Sequence, residues 1–276
     1  MALRFIAGEN LEDAMRAVRQ LNAEGFETTL DRLGESVQAV SEAEGACQAY
    51  LEILDRLAVE GLRSHISIKL TQLGLAMDED LAGRLLDTIA QRAARHHNFV
   101  RIDMESSAYT ESTLRVFYQA SASRDVLGVV IQSYLYRSAR DVEGLVKQGA
   151  RVRLVKGAYQ EPPGVAFPRK ADVDGNFIKL MEALLVSGGY HAIATHDPRM
   201  IAATQAYARS QGLTPNQFEF QMLYGIRRQL QRDLLRQGYR VRIYVAFGKE
   251  WYAYFMRRLA ERPANLVFLL RNLFRG

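Results

Sequence analysis

The spacing of apolar residues along this chain switches back and forth between two periods. Eight short runs are β-branched or alternate apolar with polar: TTLDRL (28–33), HISIKL (65–70), FVRIDM (99–104), LGVVIQSYL (127–135), RVRLVK (151–156), HAIAT (191–195), FEFQML (218–223) and VRIYVAF (241–247). These read as strands. Between them the apolar residues fall at helical spacing, over Val37–Glu60, Glu79–His96, Glu111–Ser121, Ala139–Gln148, Asp174–Leu185, Arg199–Ser210 and Ile226–Arg236. A further helix precedes the first strand, with Leu11, Ala14, Ala17, Val18 and Leu21 on one face, Asn10 as its N-cap and Gly25 as its stop.

Strict alternation of strand and helix implies parallel strands joined by helical crossovers. Eight such units suit a (β/α)8 barrel, which typically takes about 250 residues. The rival is an open doubly wound sheet, which announces itself by a glycine-rich phosphate loop after an early strand. Here the first strand leads into RLGESVQA, without that fingerprint. No Pro/Ser-rich linker or internal repeat divides the chain. The expectation is α/β, a (β/α)8 TIM-type barrel, as a single domain over residues 1–276 with short extra helices at both ends.

Composition narrows the function classes. The 276 residues are 48% hydrophobic and carry 36 Lys+Arg against 31 Asp+Glu, a net charge of +5 without a basic run. That balance suits a small anionic ligand better than a nucleic acid. One cysteine, Cys47, excludes an internal disulfide and fits a reducing, cytoplasmic compartment. The N-terminus lacks a secretory h-region. The tail ANLVFLLRNLF is too short to span a bilayer and carries Arg271. It reads as a packed helix, with a peripheral membrane contact as the alternative. Nothing in the pattern speaks for a particular oligomeric state.

A barrel collects its chemistry at the C-terminal ends of its strands. Those ends carry Asp31 and Glu35, Lys69, Asp103 and Glu105, Gln132, Tyr134 and Tyr136, Arg153, Lys156 and Tyr159, Thr195 and His196, Glu219 and Gln221, and Tyr244. After the last strand, Tyr254, Arg257, Arg258 and Glu261 share one helical face. Two adjacent guanidiniums can hold one carboxylate; a solvated basic face is the plainer alternative. No HxH or HExxH occurs, so no catalytic metal is expected. Lys69 or Lys156 as a Schiff-base lysine, as in barrel aldolases, stays open on the residues alone.

The motifs DRLGES, KLTQLG, IDMES, RLVKGAYQEP, ATHD, FEFQMLYG and YAYFMRRLAE stand in this order along the chain, each at a predicted strand end or on the ligand-facing helix. Together they resemble the proline dehydrogenase family, flavoenzymes that begin proline catabolism. The resemblance runs from about Arg4 to the C-terminus and is to short, single-function bacterial members with an abbreviated N-terminal arm. It implies FAD as cofactor, L-proline as substrate and a membrane quinone as electron acceptor, which would place the protein in the cytoplasm or peripherally at the inner membrane.

The resemblance also implies roles. Asp103 and Arg153 would be catalytic. Lys69, Leu223, Tyr244, Tyr254, Arg257, Arg258 and Glu261 would bind the substrate. Met104, Gln132, Arg153, Lys156, Gly157, Ala158, Thr195 and His196 would bind the cofactor. The segment EPPGVAFPRKADVDGNF would be a long loop with a short helix start, and a lid over the flavin or plain packing. The run ERPAN after the arginine pair departs from the family, and Pro263 would end that helix early.

Overall fold

The computed structural model describes residues 5–34, 37–120 and 125–252. Eight strands form a closed barrel in sequence order: β1 (Glu27–Arg32), β2 (Ser64–Ile68), β3 (Val100–Ile102), β4 (Leu127–Gln132), β5 (Arg151–Val155), β6 (His191–Ala194), β7 (Phe218–Leu223) and β8 (Arg240–Phe247). All pairings are parallel, and β1 closes against β8 with Thr29 opposite Tyr244 and Asp31 opposite Ala246. The barrel expected from the sequence is therefore the fold.

Helices α2 (Val40–Val59), α3 (Glu79–Arg95), α4 (Thr110–Gln119), α5 (Ser138–Lys147), α6 (Lys170–Leu185), α7 (Pro198–Ser210) and α8 (Arg228–Arg236) make the crossovers. Helix α1 (Leu11–Ala23) packs on β8 and β1 and so takes the place in the outer ring between them. Its start is set as the sequence suggests: the Asn10 side chain accepts from the Asp13 amide at 2.9 Å. The expected C-terminal helix lies outside the described residues.

Strand alternation sorts the side chains. Leu30, Ile66, Ile102, Val129, Leu154, Ile193, Phe220 and Ile243 point outward into the helices and are buried in one continuous apolar core. The alternate set includes Thr29, Ser67, Arg101, Glu219 and Arg242, all buried and polar or charged. A barrel interior filled with aliphatic layers would be the common arrangement. Here it is cross-linked by ions instead. Arg242 forks onto Glu219 at 2.9 to 3.1 Å, donates to the Thr28 carbonyl at 2.8 Å and also reaches Glu27. Arg101 donates to the carbonyls of Val129 and Arg151. It fits because position 128 is glycine: a Cβ there would stand 2.5 Å from the guanidinium.

Several boundaries differ from the sequence reading, and three of them have a local cause or bear on the site. The run LGVVIQSYL leaves strand geometry after Gln132, where Leu135 N–H turns back to the Gln132 carbonyl at 3.2 Å. Lys170–Asp174 lies in the first turns of α6, not in a loop. Helix α8 begins at Arg228 and not at Ile226, because Arg227 takes a left-handed conformation with φ +51°.

Candidate active site

At the C-terminal mouth of the barrel the strand ends surround a cleft of about 610 Å³, a size that suits a cofactor and a small substrate. Every described residue given a binding or catalytic role lines it, whereas the strand-end residues Glu105, Tyr134, Tyr136 and Glu219 do not. Lys69 comes from β2, Asp103 and Met104 from β3, Gln132 from β4, Arg153 from β5, and Lys156, Gly157 and Ala158 from the turn after β5. Thr195 and His196 follow β6, Leu223 ends β7 and Tyr244 sits on β8. Tyr254, Arg257, Arg258 and Glu261 lie outside the described residues, as does Glu35.

The centre of the cleft is a shared carboxylate. Arg153 Nη1 donates to Asp103 Oδ1 at 2.6 Å and the Tyr244 hydroxyl to Oδ2 at 2.8 Å. Arg153 also donates to the Ser67 hydroxyl at 3.0 Å and lies 5.4 Å from the centre of the Tyr244 ring. Its Nε is buried without a hydrogen-bond partner among the described residues.

Beside this triad, Lys69 Nζ donates to Asp31 Oδ1 at 2.7 Å, and both side chains are buried. Burial works against the Lys69 charge, but Asp31 and Asp103 outweigh it and hold the ammonium's pKa well above its ordinary value. A Schiff-base lysine needs the opposite shift, so that its neutral amine is available. Lys156 is no freer, being paired with Asp174 and, at 2.9 Å, with Asp197.

The β5 turn is built for close approach. Gly157 has φ +120°, and a Cβ on it would meet the Tyr134 ring at 2.5 Å. Around Lys156, the cations Lys170 and Arg199 share Asp174 and Asp197. Burial raises the pKa of both acids, but Lys156, joined by Lys170 at Asp174 and by Arg199 at Asp197, prevails and lowers it. On the facing side, the Leu223 amide donates to His196 Nε2 at 2.8 Å, which fixes the Nδ1–H tautomer of the neutral ring. The loop after β5 is tied down by Glu161, which accepts from the Ser107 amide at 2.7 Å and from the Ser107 hydroxyl.

Some residues of the site were not assigned from sequence. Asp31 stood at a strand end without a role, and Ser67 and Asp174 were not singled out. Gln221 also lines the cleft, with its amide nitrogen on Glu219 and its Oε1 buried without a partner among the described residues. Ser67 was legible in principle, since in HISIKL it alternates with His65 and Lys69 on one face.

The profile of the family described as proline dehydrogenase matches residues 14–271. The chain belongs to the proline dehydrogenase family. It is 41% identical over 270 residues to "Proline dehydrogenase 2" of Bacillus subtilis, covering 98% of this chain and 89% of that one. To the "Proline dehydrogenase" of Deinococcus radiodurans it is 39% identical over 281 residues, covering 100% and 91%. Among solved structures, proline utilization A (PutA) from Bdellovibrio bacteriovorus inactivated by N-propargylglycine superposes with a TM-score of 0.87 at 27% identity. That match covers 94% of this chain, which spans 32% of the PutA chain. The proline dehydrogenase resemblance drawn from seven motifs is thus a family membership along nearly the whole sequence.

Proposed function

We propose that the protein is an FAD-dependent dehydrogenase that oxidises L-proline to Δ1-pyrroline-5-carboxylate and delivers the electrons to a membrane quinone. The observation that carries this reading is the Asp103 carboxylate gripped by Arg153 and Tyr244 inside the cleft, with the Lys69 ammonium beside it. Family membership supplies the substrate class.

The cleft fits a flavin nucleotide. A planar ring with several hydrogen-bonding edges suits buried polar atoms that lack partners, and Arg153 Nε and Gln221 Oε1 are two. A phosphate-bearing tail suits a turn where the backbone is bare of Cβ and a lysine stands next to it, as at Lys156 and Gly157. Met104, Gln132 and Arg153 would hold the ring, and Lys156, Gly157, Ala158, Thr195 and His196 the remainder. The chemistry such a cofactor supplies when bound is acceptance of a hydride equivalent at N5 from proline C5.

The chain's own residues do the rest. Lys69, Arg257 and Arg258 take the substrate carboxylate, where charge-assisted bonds are strongest. Leu223, Tyr244 and Tyr254 wall the ring, and Glu261 fixes an arginine. Arg153 places positive charge where negative charge develops, held there by Asp103 and Ser67 and not free to drift. Among the described residues no helix is long and apolar enough to cross a membrane; the proposed meeting with quinone is a peripheral contact.

The test is the visible spectrum of the purified protein, before and after L-proline is added without oxygen. Flavin bleaching by proline is expected. A flavin that stays oxidised moves the substrate to another amine or imino acid. A colourless protein that takes up no FAD, but is trapped on a lysine by borohydride with a carbonyl compound, would overturn the reading.

A further inference from the structure

Oxidation of a cyclic secondary amine poses a proton problem. The free substrate is an ammonium until roughly pH 10, as alkylamines are. A carbon next to nitrogen gives up a hydride only when the nitrogen lone pair is free to form the C=N bond. Something in the cleft has to take the N–H proton first.

The candidates on the described wall are few. Lys69 is a cation and already donates to Asp31. Tyr244 donates to Asp103, and each Asp103 oxygen already accepts a strong donor. Asp31 differs. Its Oδ1 accepts from Lys69, whereas its Oδ2 is buried without a hydrogen-bond partner among the described residues, and the side chain lines the cleft. A carboxylate oxygen in that condition is costly unless a donor arrives. The incoming ammonium is such a donor.

We infer that Asp31 is the proton acceptor for the ring nitrogen of the bound imino acid, with Oδ1 anchoring the Lys69 ammonium and Oδ2 receiving the N–H. This rests on the proposed proline dehydrogenase activity. The N–H bond breaks and an O–H bond forms on Asp31. The electron pair stays on nitrogen and becomes the second C–N bond as the neighbouring carbon yields its hydride equivalent to the cofactor. The proton leaves to solvent after the product.

The groups facing Asp31 keep it in place without competing. From β2 come Lys69 and, in register, Ser67. From β8 the register partner is the apolar Ala246. From α2 the Tyr50 hydroxyl is turned away, donating to Gln72 at 2.6 Å. Burial, and then the Asp31 charge, push the Tyr50 phenol up, so it stays neutral. From β3, Asp103 is held by Arg153 and Tyr244.

The experiment is rapid-mixing measurement of flavin reduction by proline in the anaerobic holoenzyme and in its Asp31→Asn variant, across pH. Asparagine still offers an oxygen to Lys69 but cannot take a proton. In the unmodified enzyme the second-order rate constant should rise by less than about threefold per unit from about pH 7 to about pH 9, because the ammonium form is used. In Asp31→Asn it should fall by at least about 100-fold near neutral pH and then climb about tenfold per pH unit, following the free amine. Binding of tetrahydrofuran-2-carboxylate, which has a ring oxygen and no N–H, should change by less than about threefold.

A variant with the rate and pH profile of the parent overturns the inference. So does an equal loss of analogue binding without a pH slope, which would mean that Asp31 acts only by holding Lys69. If the variant does not fold, the parent enzyme decides: a tenfold rise per pH unit in it would mean that only free amine is taken and no internal acceptor exists. Failure of proline to bleach the parent flavin would instead refute the proposed function, and this inference with it.

Discussion

Arg153 on β5 reaches past β4 to Asp103, directly after β3, and the two close an ion pair of 2.6 Å between residues 50 apart in sequence. The Arg153 side chain is only 5% exposed and that of Asp103 14%. The pair therefore sits where water screens little, on strand ends that the barrel holds rigid. Tyr244 takes the other Asp103 oxygen from β8. One carboxylate thus fixes the orientation of two groups that face the proposed substrate.

That arrangement predicts an order of effects. Asp103→Ala leaves a buried guanidinium without its counter-ion and should cost about 3–5 kcal/mol of stability. Tyr244→Phe removes one hydrogen bond and should cost about 1 kcal/mol. Urea unfolding of the two variants checks this. Equal losses would mean that the pair is already compensated by other groups.

Gly157→Ala tests the turn after β5. Alanine would be forced to φ +120°, where backbone strain costs about 1–3 kcal/mol, and would overlap the Tyr134 ring, costing a similar amount. The expected results are a lower melting temperature and weaker FAD uptake by titration. In a Tyr134→Ala background the same Gly157→Ala change should cost only the conformational part. Normal FAD affinity in the single variant would show that the cofactor does not use this turn.

The barrel was legible because alternation is a local property. Each strand writes apolar and polar residues on opposite faces, and the helical segments change period between them. Lys69, Asp103 and Arg153 were legible for the same reason, since Lys69 and Asp103 directly follow strands and Arg153 lies on one. The pairing of Lys69 with Asp31 was not, because it depends on the β1–β2 register, which sets Asp31 opposite Ser67 and so one step below Lys69. The start of α6 was misread for a tertiary reason. Between Pro168 and Gly175 the sequence looks like loop, but Lys156 and Arg199, from other segments, pair with Asp174 on its first turns. Arg227 shows the converse: local spacing extended α8 to Ile226, while the chain turns left-handed there first.

Arg258→Met tests the proposed carboxylate trap. A guanidinium that makes charge-assisted bonds to a substrate carboxylate contributes roughly 1.5–3 kcal/mol per bond. Its loss should raise the KM for proline by at least about tenfold while the flavin spectrum and unfolding midpoint stay as in the parent. Normal turnover at low proline in this variant would remove Arg258 from the site.

The floor of the barrel carries an acid-sensitive element of its own. His191 accepts from the Val152 amide at Nδ1 (3.2 Å), and its Nε2 lies 2.8 Å from the Ser187 hydroxyl. Burial, then the charges of Arg101 and Arg151, lower its pKa from 6.5 to about 4. The unfolded chain therefore binds a proton at His191 below about pH 6.5 that the folded chain refuses until about pH 4. Stability should fall across that window, by about 1.4 kcal/mol per pH unit and about 3 kcal/mol in total. Glu219 acts lower down. Burial works against its charge, but Arg242 prevails and brings its pKa to about 2. Its contribution is complete above about pH 4.5 and is lost as pH falls from there towards 2. The two windows can be separated. His191→Gln should be less stable than the parent at about pH 7.5, and the gap should narrow by roughly 2–3 kcal/mol by about pH 4.5, since only the parent carries the histidine penalty. Urea unfolding at the two pH values measures it. A gap that stays constant would show that His191 takes up its proton in the folded protein as it does in the unfolded chain, and that the cationic floor formed by Arg101 and Arg151 does not govern it.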